Sequence, residues 1–145
     1  IVPSARSVRS HSMTQSSGLI NIFRDCGLTH DANHFVPHFT GIELRPWRMW
    51  NGLVRVPYSW EDDVHILYDS IGMKQKSPRD ILMNTNETGL KVFDFHPIHV
   101  FLNTESLERY ERTRHIHQNP KELIKHRYQG YGTRSRLVEL LGLRK

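Results

Sequence analysis

Ten histidines among 145 residues are the first chemical signal in this chain. Imidazole both transfers protons near neutral pH and ligates zinc. The densest arrangement is Val92-Phe93-Asp94-Phe95-His96-Pro97-Ile98-His99-Val100-Phe101-Leu102-Asn103. A residue before proline is pushed out of the α region into extended geometry, and proline cannot extend the ladder of a central strand. His96 is therefore expected at the carboxyl end of a buried strand, the rim where parallel α/β folds place their chemistry. It either transfers protons there or only hydrogen-bonds its neighbours, and spacing leaves both readings open. His99 reads as a supporting or core residue.

Two further groupings could do chemistry. In Arg9-Ser10-His11-Ser12 the cation and the imidazole are two apart, so on a strand they would face one side. A His-x-x-x-His zinc pair opened by His11 would need histidine at position 15, where Gln15 stands. Pro57-Tyr58-Ser59-Trp60-Glu61-Asp62-Asp63 places three acids after a strand end. They suit either the orientation of an arginine or histidine, or the positive end of a helix dipole. Trp60 would offer a stacking face for a sugar. His30, His34, His38, His65, His115, His117 and His126 show no convincing metal-ligand spacing. Phosphate-cradling glycine loops and nucleophile elbows are absent from the sequence.

The elements that must position these residues alternate between helix and strand. Leu19, Ile22, Phe23 and Cys26 form a helical stripe over residues 18–26, stopped by Gly27. Residues 28–33 read as extended, and 34–51 as a long packed loop of aromatics and breakers. Residues 52–57 form a strand ended by Pro57, and 62–71 a helix opened by Asp62 and Asp63. Ser77-Pro78-Arg79-Asp80 matches a capping box with proline at the first helical position. Residues 90–99 are the most strand-like run. Helices follow over 104–115, 120–128 (capped by Asn119) and 135–141, the last within a C-terminal helical segment spanning 133–145. Without hairpin signals, the pattern predicts an α/β fold with parallel strands.

Composition narrows the class. The chain is 37% hydrophobic and 24% charged, which excludes disorder. No apolar run reaches the roughly 18 residues of a membrane span, and residues 1–17 lack the apolar core of a signal peptide. Cys26 is the only cysteine, which excludes an intramolecular disulfide and thiolate zinc sites and makes a reducing, cytoplasmic compartment the default. The net charge of +5 is spread along the chain and partly terminal, so a solvated basic surface is favoured over nucleic-acid binding.

Taken in order, Val8-Arg9-Ser10-His11-Ser12, the helix ending Cys26-Gly27-Leu28, His30-Asp31-Ala32-Asn33, Val54-Arg55-Val56-Pro57 with Trp60-Glu61-Asp62-Asp63, and Phe95-His96-Pro97 resemble the later half of a NodB-type polysaccharide deacetylase. The WbmS-like subgroup of surface-polysaccharide gene clusters is the nearest in pattern, since a Phe-His-Pro-x-His run is typical of it. The resemblance covers residues 8–132. It implies the C-terminal part of a distorted (β/α) barrel, with residues 1–145 as one partial domain. It also implies a divalent metal, zinc in most members, held by an Asp and two His, with a second Asp as general base. By the same resemblance, Arg9 matches the arginine that orients that base and His96 the histidine that acts as general acid. Asp62 or Asp63 matches the acid that braces them. His11, Tyr58, Trp60 and His99 are the candidate sugar contacts, and His11 is a remote metal candidate.

The family's paired aspartates and His-x-x-x-His motif are absent here, and they would precede Val8. A full barrel needs about 200–250 residues. The sequence is therefore expected to be a C-terminal fragment, inactive alone, with the metal ligands in a missing N-terminal part. The resemblance implies N- or O-deacetylation of a surface-polysaccharide sugar, in which a metal-activated water attacks the acetyl carbonyl and His96 protonates the leaving group. A barrel relic that binds carbohydrate without turning it over, using Trp47, Trp50 and Trp60, is the alternative.

Overall fold

A computed structural model describes residues 2–86 and 88–142. The chain divides into two compact units, residues 1–59 with 87–92 and residues 60–86 with 93–145.

In the first unit a short strand β1 (Ser7–Val8) leads to helix α1 (Ser17–Asp25), strand β2 (His30–Asp31), strand β3 (Trp47–Arg48) and strand β4 (Val54–Arg55). Helix α1 begins where the Ser16 side chain accepts the Leu19 N–H, relieving one of the unpaired donors of a first turn. It ends at Gly27, whose φ of 80° belongs to the left-handed region that glycine tolerates. The sheet order is β1-β2-β4-β3. β1, β2 and β4 run parallel, with Val8 opposite Asp31 and Asp31 opposite Arg55. β3 pairs antiparallel with β4, so a hairpin closes through Gly52 at φ 93°. That hairpin lies where the sequence suggested a packed loop and no hairpin, because its five-residue connection carries no two-residue turn signature. Ile20, Met49 and Leu53 form the core, with Phe23 packed against it.

The second unit starts with strand β5 (Trp60–Glu61), which runs directly into helix α2 (Asp62–Ser70). Helix α3 (Pro78–Met83) follows, opened by the expected capping box between Ser77 and Asp80. Strand β6 (Phe93–Asp94) pairs in parallel with β5, Trp60 opposite Phe93 and Glu61 opposite Asp94. Helices α4 (Pro97–Leu102), α5 (Leu107–Thr113), α6 (Pro120–Leu123) and α7 (Thr133–Leu140) complete the unit. The strand expected over residues 90–99 is cut short at Asp94. Pro97, with its fixed φ and no N–H to satisfy, is suited to the first helical position and starts α4 instead. The C-terminal helix expected over 133–145 spans Thr133–Leu140, and residues 143–145 lie outside those described. No helix among the described residues is long and apolar enough to cross a membrane.

A polar clasp fixes the later helices. Asn103 sits at φ 52° at the end of α4, and its side-chain amide donates to the carbonyls of Tyr128 and Gly130, both at 2.9 Å. Its side-chain oxygen accepts the Ser135 N–H at 3.1 Å. Gly132 passes so close that a Cβ there would lie 2.1 Å from the Asn103 carbonyl oxygen. Overpacking of this kind typically costs about 1–3 kcal/mol. Gly132→Ala is expected to lower the unfolding free energy, measured by urea denaturation, by that amount. Gly27→Ala, where a Cβ meets nothing within 4 Å, should cost no more than about 1–2 kcal/mol for its left-handed backbone.

Candidate active site

The residues that converge come from the carboxyl ends of the parallel pair β5–β6. Because Glu61 faces Asp94 in register, the residues just beyond the two strands emerge side by side. Asp62 opens α2 and His96 caps α4. The Asp62 Oδ2 accepts the His96 backbone N–H at 2.9 Å, and its Oδ1 lies 2.6 Å from His96 Nδ1. One buried carboxylate, 1% exposed, thus sets both the backbone and the ring of the histidine. His96 Nε2 points toward Glu61 and Asp94, at 3.9 and 4.0 Å. The imidazole remains about a third exposed.

This surrounding raises the His96 pKa to about 9. The hydrogen bond to Asp62 is the largest cause and outweighs the opposing desolvation. The charges of Asp62, Asp63 and Asp94 add to it. The ring is therefore an imidazolium near neutrality. His99, on α4, is buried and turns Nδ1 toward the Thr104 hydroxyl at 3.2 Å. Burial lowers its pKa, so it is neutral beside the charged ring it meets edge-on at 5.7 Å.

Two groupings bring ligand atoms within 4.8 Å of one another: Asp62, His96 and His99, and Glu61, Asp94 and His96. Carboxylate oxygens and imidazole nitrogens are donors a zinc ion accepts. Both groupings depend on His96, so an ion bound there would take the place of its proton. Both Asp62 oxygens already accept hydrogen bonds from His96, and a carboxylate on Nδ1 is also how a ligating histidine is commonly oriented.

The other sequence-derived candidates are placed differently. Trp60 and Tyr58, expected as sugar contacts, are 2% and 1% exposed and have no open face. Trp60 instead stacks on Phe95 at 4.8 Å and donates Nε1–H to His65 Nδ1 at 3.2 Å, buttressing the strand pair. Asp63 reaches His96 through its charge. In the first unit, Arg9 lies with its guanidinium 5.4 Å above the Tyr58 ring. His11 is exposed and starts a short 3-10 turn, His11–Met13. The chain has left the strand by then, so the same-face argument linking Arg9 to His11 does not apply.

The sequence reading used the runs that hold Asp31, Asn33 and Arg55 for the family resemblance but gave these residues no role. Arg55 on β4 bonds Asp31 on β2 through Nε at 2.5 Å, and Asn33 Nδ2 reaches the other Asp31 oxygen at 2.6 Å. Asp31 is fully buried. Opposite charges in two runs read as extended, Asp31 in 28–33 and Arg55 in 52–57, were the available signal of the pair, and their partnership needed the register.

The sequence model of the WbmS-like polysaccharide deacetylases matches residues 1–114. A crystal structure from Bordetella bronchiseptica, of a protein assigned as a polysaccharide deacetylase involved in O-antigen biosynthesis, is 47% identical, with a TM-score of 0.83. The match covers 97% of this chain and 56% of that one, so the chain spans little more than half of that relative. A search of curated proteins gave no match.

Because His96 binds its proton more tightly folded than unfolded, the pair stabilises the fold fully below about pH 6.5 and loses that contribution as pH rises through about 9. Asp62→Asn is expected to bring the His96 titration down toward 6.5 in an NMR pH series. An unchanged titration near 9 would remove Asp62 as its cause. The sequence match and the structural likeness together settle kinship: the chain belongs to the WbmS-like polysaccharide deacetylases.

Proposed function

We propose that the protein takes part in removing N- or O-acetyl groups from a sugar of a bacterial surface polysaccharide of the O-antigen or capsule type, with His96 as general acid. The observation that carries this reading is the buried Asp62 carboxylate bonded to Nδ1 of His96, whose side chain stays about a third exposed. An amine leaves an acetyl carbon poorly until it is protonated. His96 holds a proton on Nε2 and delivers it to the leaving nitrogen or oxygen, then regains one from water. Such a transfer typically contributes about 10²–10⁴-fold. Asp62 fixes the ring's rotation and tautomer, and Asp63 adds negative charge that favours the charged ring. Arg9 would orient a general-base aspartate, with His11 at the substrate.

The reading includes a cytoplasmic, metal-dependent enzyme, zinc by family pattern, built as a distorted (β/α) barrel. Its metal would be held by an Asp and two His, the set that the family pattern implies. Trp47 and Trp50, 41% and 68% exposed, favour a second reading in which the sugar is bound without being deacetylated.

In the whole protein, His96→Ala is expected to lower kcat by about 10²–10⁴-fold while metal content, measured by atomic absorption, stays the same. The wild-type rate should fall on the alkaline side near pH 9, as the acid loses its proton. Unchanged turnover would remove His96 from the mechanism. Saturable sugar binding with no acetate released by wild type would favour the binding-only reading.

A further inference from the structure

The first unit holds a second feature that deacetylation does not explain. A groove of about 490 Å³ is lined by Arg24, His30, Arg48, Asn51, Leu28 and Leu53, among others. It opens beside His30 and Val54, the first residues of β2 and β4, and so at the amino ends of those parallel strands. Catalytic groups in parallel α/β folds gather at the opposite, carboxyl ends.

The wall chemistry is one-sided. Two guanidiniums and an imidazole face the groove, and none of its lining residues is a carboxylate. Arg24 is held by the neighbouring Asp25 at 2.7 Å, and both are about half exposed, so the pair is a weak one in solvent. Arg48 spends one terminal nitrogen on the Gly52 carbonyl at 3.0 Å, which fixes the side chain across the hairpin and leaves the rest of its fork. His30 Nδ1 is engaged by the Thr29 hydroxyl at 2.8 Å, which sets the ring's orientation. Beneath these groups the floor is apolar, formed by Leu28, Leu53 and Val54. Helix α1 ends beside Arg24, and its carbonyl end favours one cation there. That accounts for Arg24 alone, and not for Arg48 and His30 on other elements.

Planar guanidinium forks match the oxygens of a phosphoryl group, two at a time, better than any other side chain. We propose that this groove binds a phosphate ester, its phosphoryl oxygens engaged by Arg24 and Arg48 and its apolar lining receiving what the ester carries. A soluble nucleoside diphosphate and a phospholipid headgroup share that chemistry.

Calorimetric titration of the protein with inorganic pyrophosphate tests the assignment. Saturable binding is expected, weakened about tenfold by Arg24→Gln or by Arg48→Gln, or about 1.4 kcal/mol each, and about a hundredfold by both together. The charge-matched pair Arg112→Gln and Lys121→Gln, exposed on the second unit, should leave it unchanged. Uridine diphosphate displacing pyrophosphate from wild type would identify the soluble source. Flotation with phosphatidylcholine vesicles containing phosphatidic acid, lost in the double arginine variant, would identify the lipid. Absence of saturable binding, or equal weakening by the control pair, overturns the proposal. None of these readouts uses deacetylation, so either reading can fail without the other.

Discussion

The arrangement depends most on one buried carboxylate. Asp62 is the first residue of α2 and also the partner of His96, 34 positions along the chain. A carboxylate so deeply buried would be costly without partners, and it has them: the His96 N–H, the His96 ring and the Asp63 N–H. The same contacts fix where α4 begins, because the residue that caps it is His96 itself. Removing the carboxylate would therefore disturb a helix junction and a proton site at once.

The strand pair beneath explains why those contacts form reliably. β5 and β6 are only two residues long, so their register has little backbone hydrogen bonding to define it. Side chains supply the definition. The Trp60 ring, locked between Phe95 and His65, holds one strand against the other, and a slip of one residue would turn every side chain to the wrong face. In the first unit the same economy recurs: Arg55, Asp31 and Asn33 tie two-residue strands together through charge-assisted bonds. Buried polar pairs of this kind add register more than stability.

What could be read from the sequence follows from how local the cause was. The helix before Gly27, the capping box at Ser77, the Asn119 cap and the acids opening α2 follow local rules, and the structure shows each one. The expected stripe is displaced, however: Ile20 is the buried residue of α1, while Ile22 and Cys26 are exposed. His96 beyond a strand end was legible because proline restricts its neighbour, although the same proline started a helix that cut the expected strand short. Trp60 and Tyr58 were misjudged for a different reason. An aromatic beside acids reads equally well as a binding face or a core residue, and only packing decides. The Asp31–Arg55 pair stayed hidden because its partners are 24 residues apart and meet only across a sheet.

The chemistry left to this site follows from which atoms remain reachable. Asp62 and His99 are buried, Glu61 is nearly so, and the Nδ1 side of His96 is occupied. The reachable member of the cluster is the His96 ring, about a third exposed, which its neighbours favour in the charged form. A ring held this way is a poor base, since that role needs a lone pair that the proton occupies. As an acid it is weaker than free imidazole, so it keeps its proton until a more basic atom develops beside it. An amide nitrogen becomes such an atom once the carbonyl carbon is tetrahedral and the nitrogen lone pair is no longer delocalised. In the proposed reaction Asp62 would time the transfer as well as aim it: the proton would stay while the substrate is an amide and move once the nitrogen has lost that conjugation.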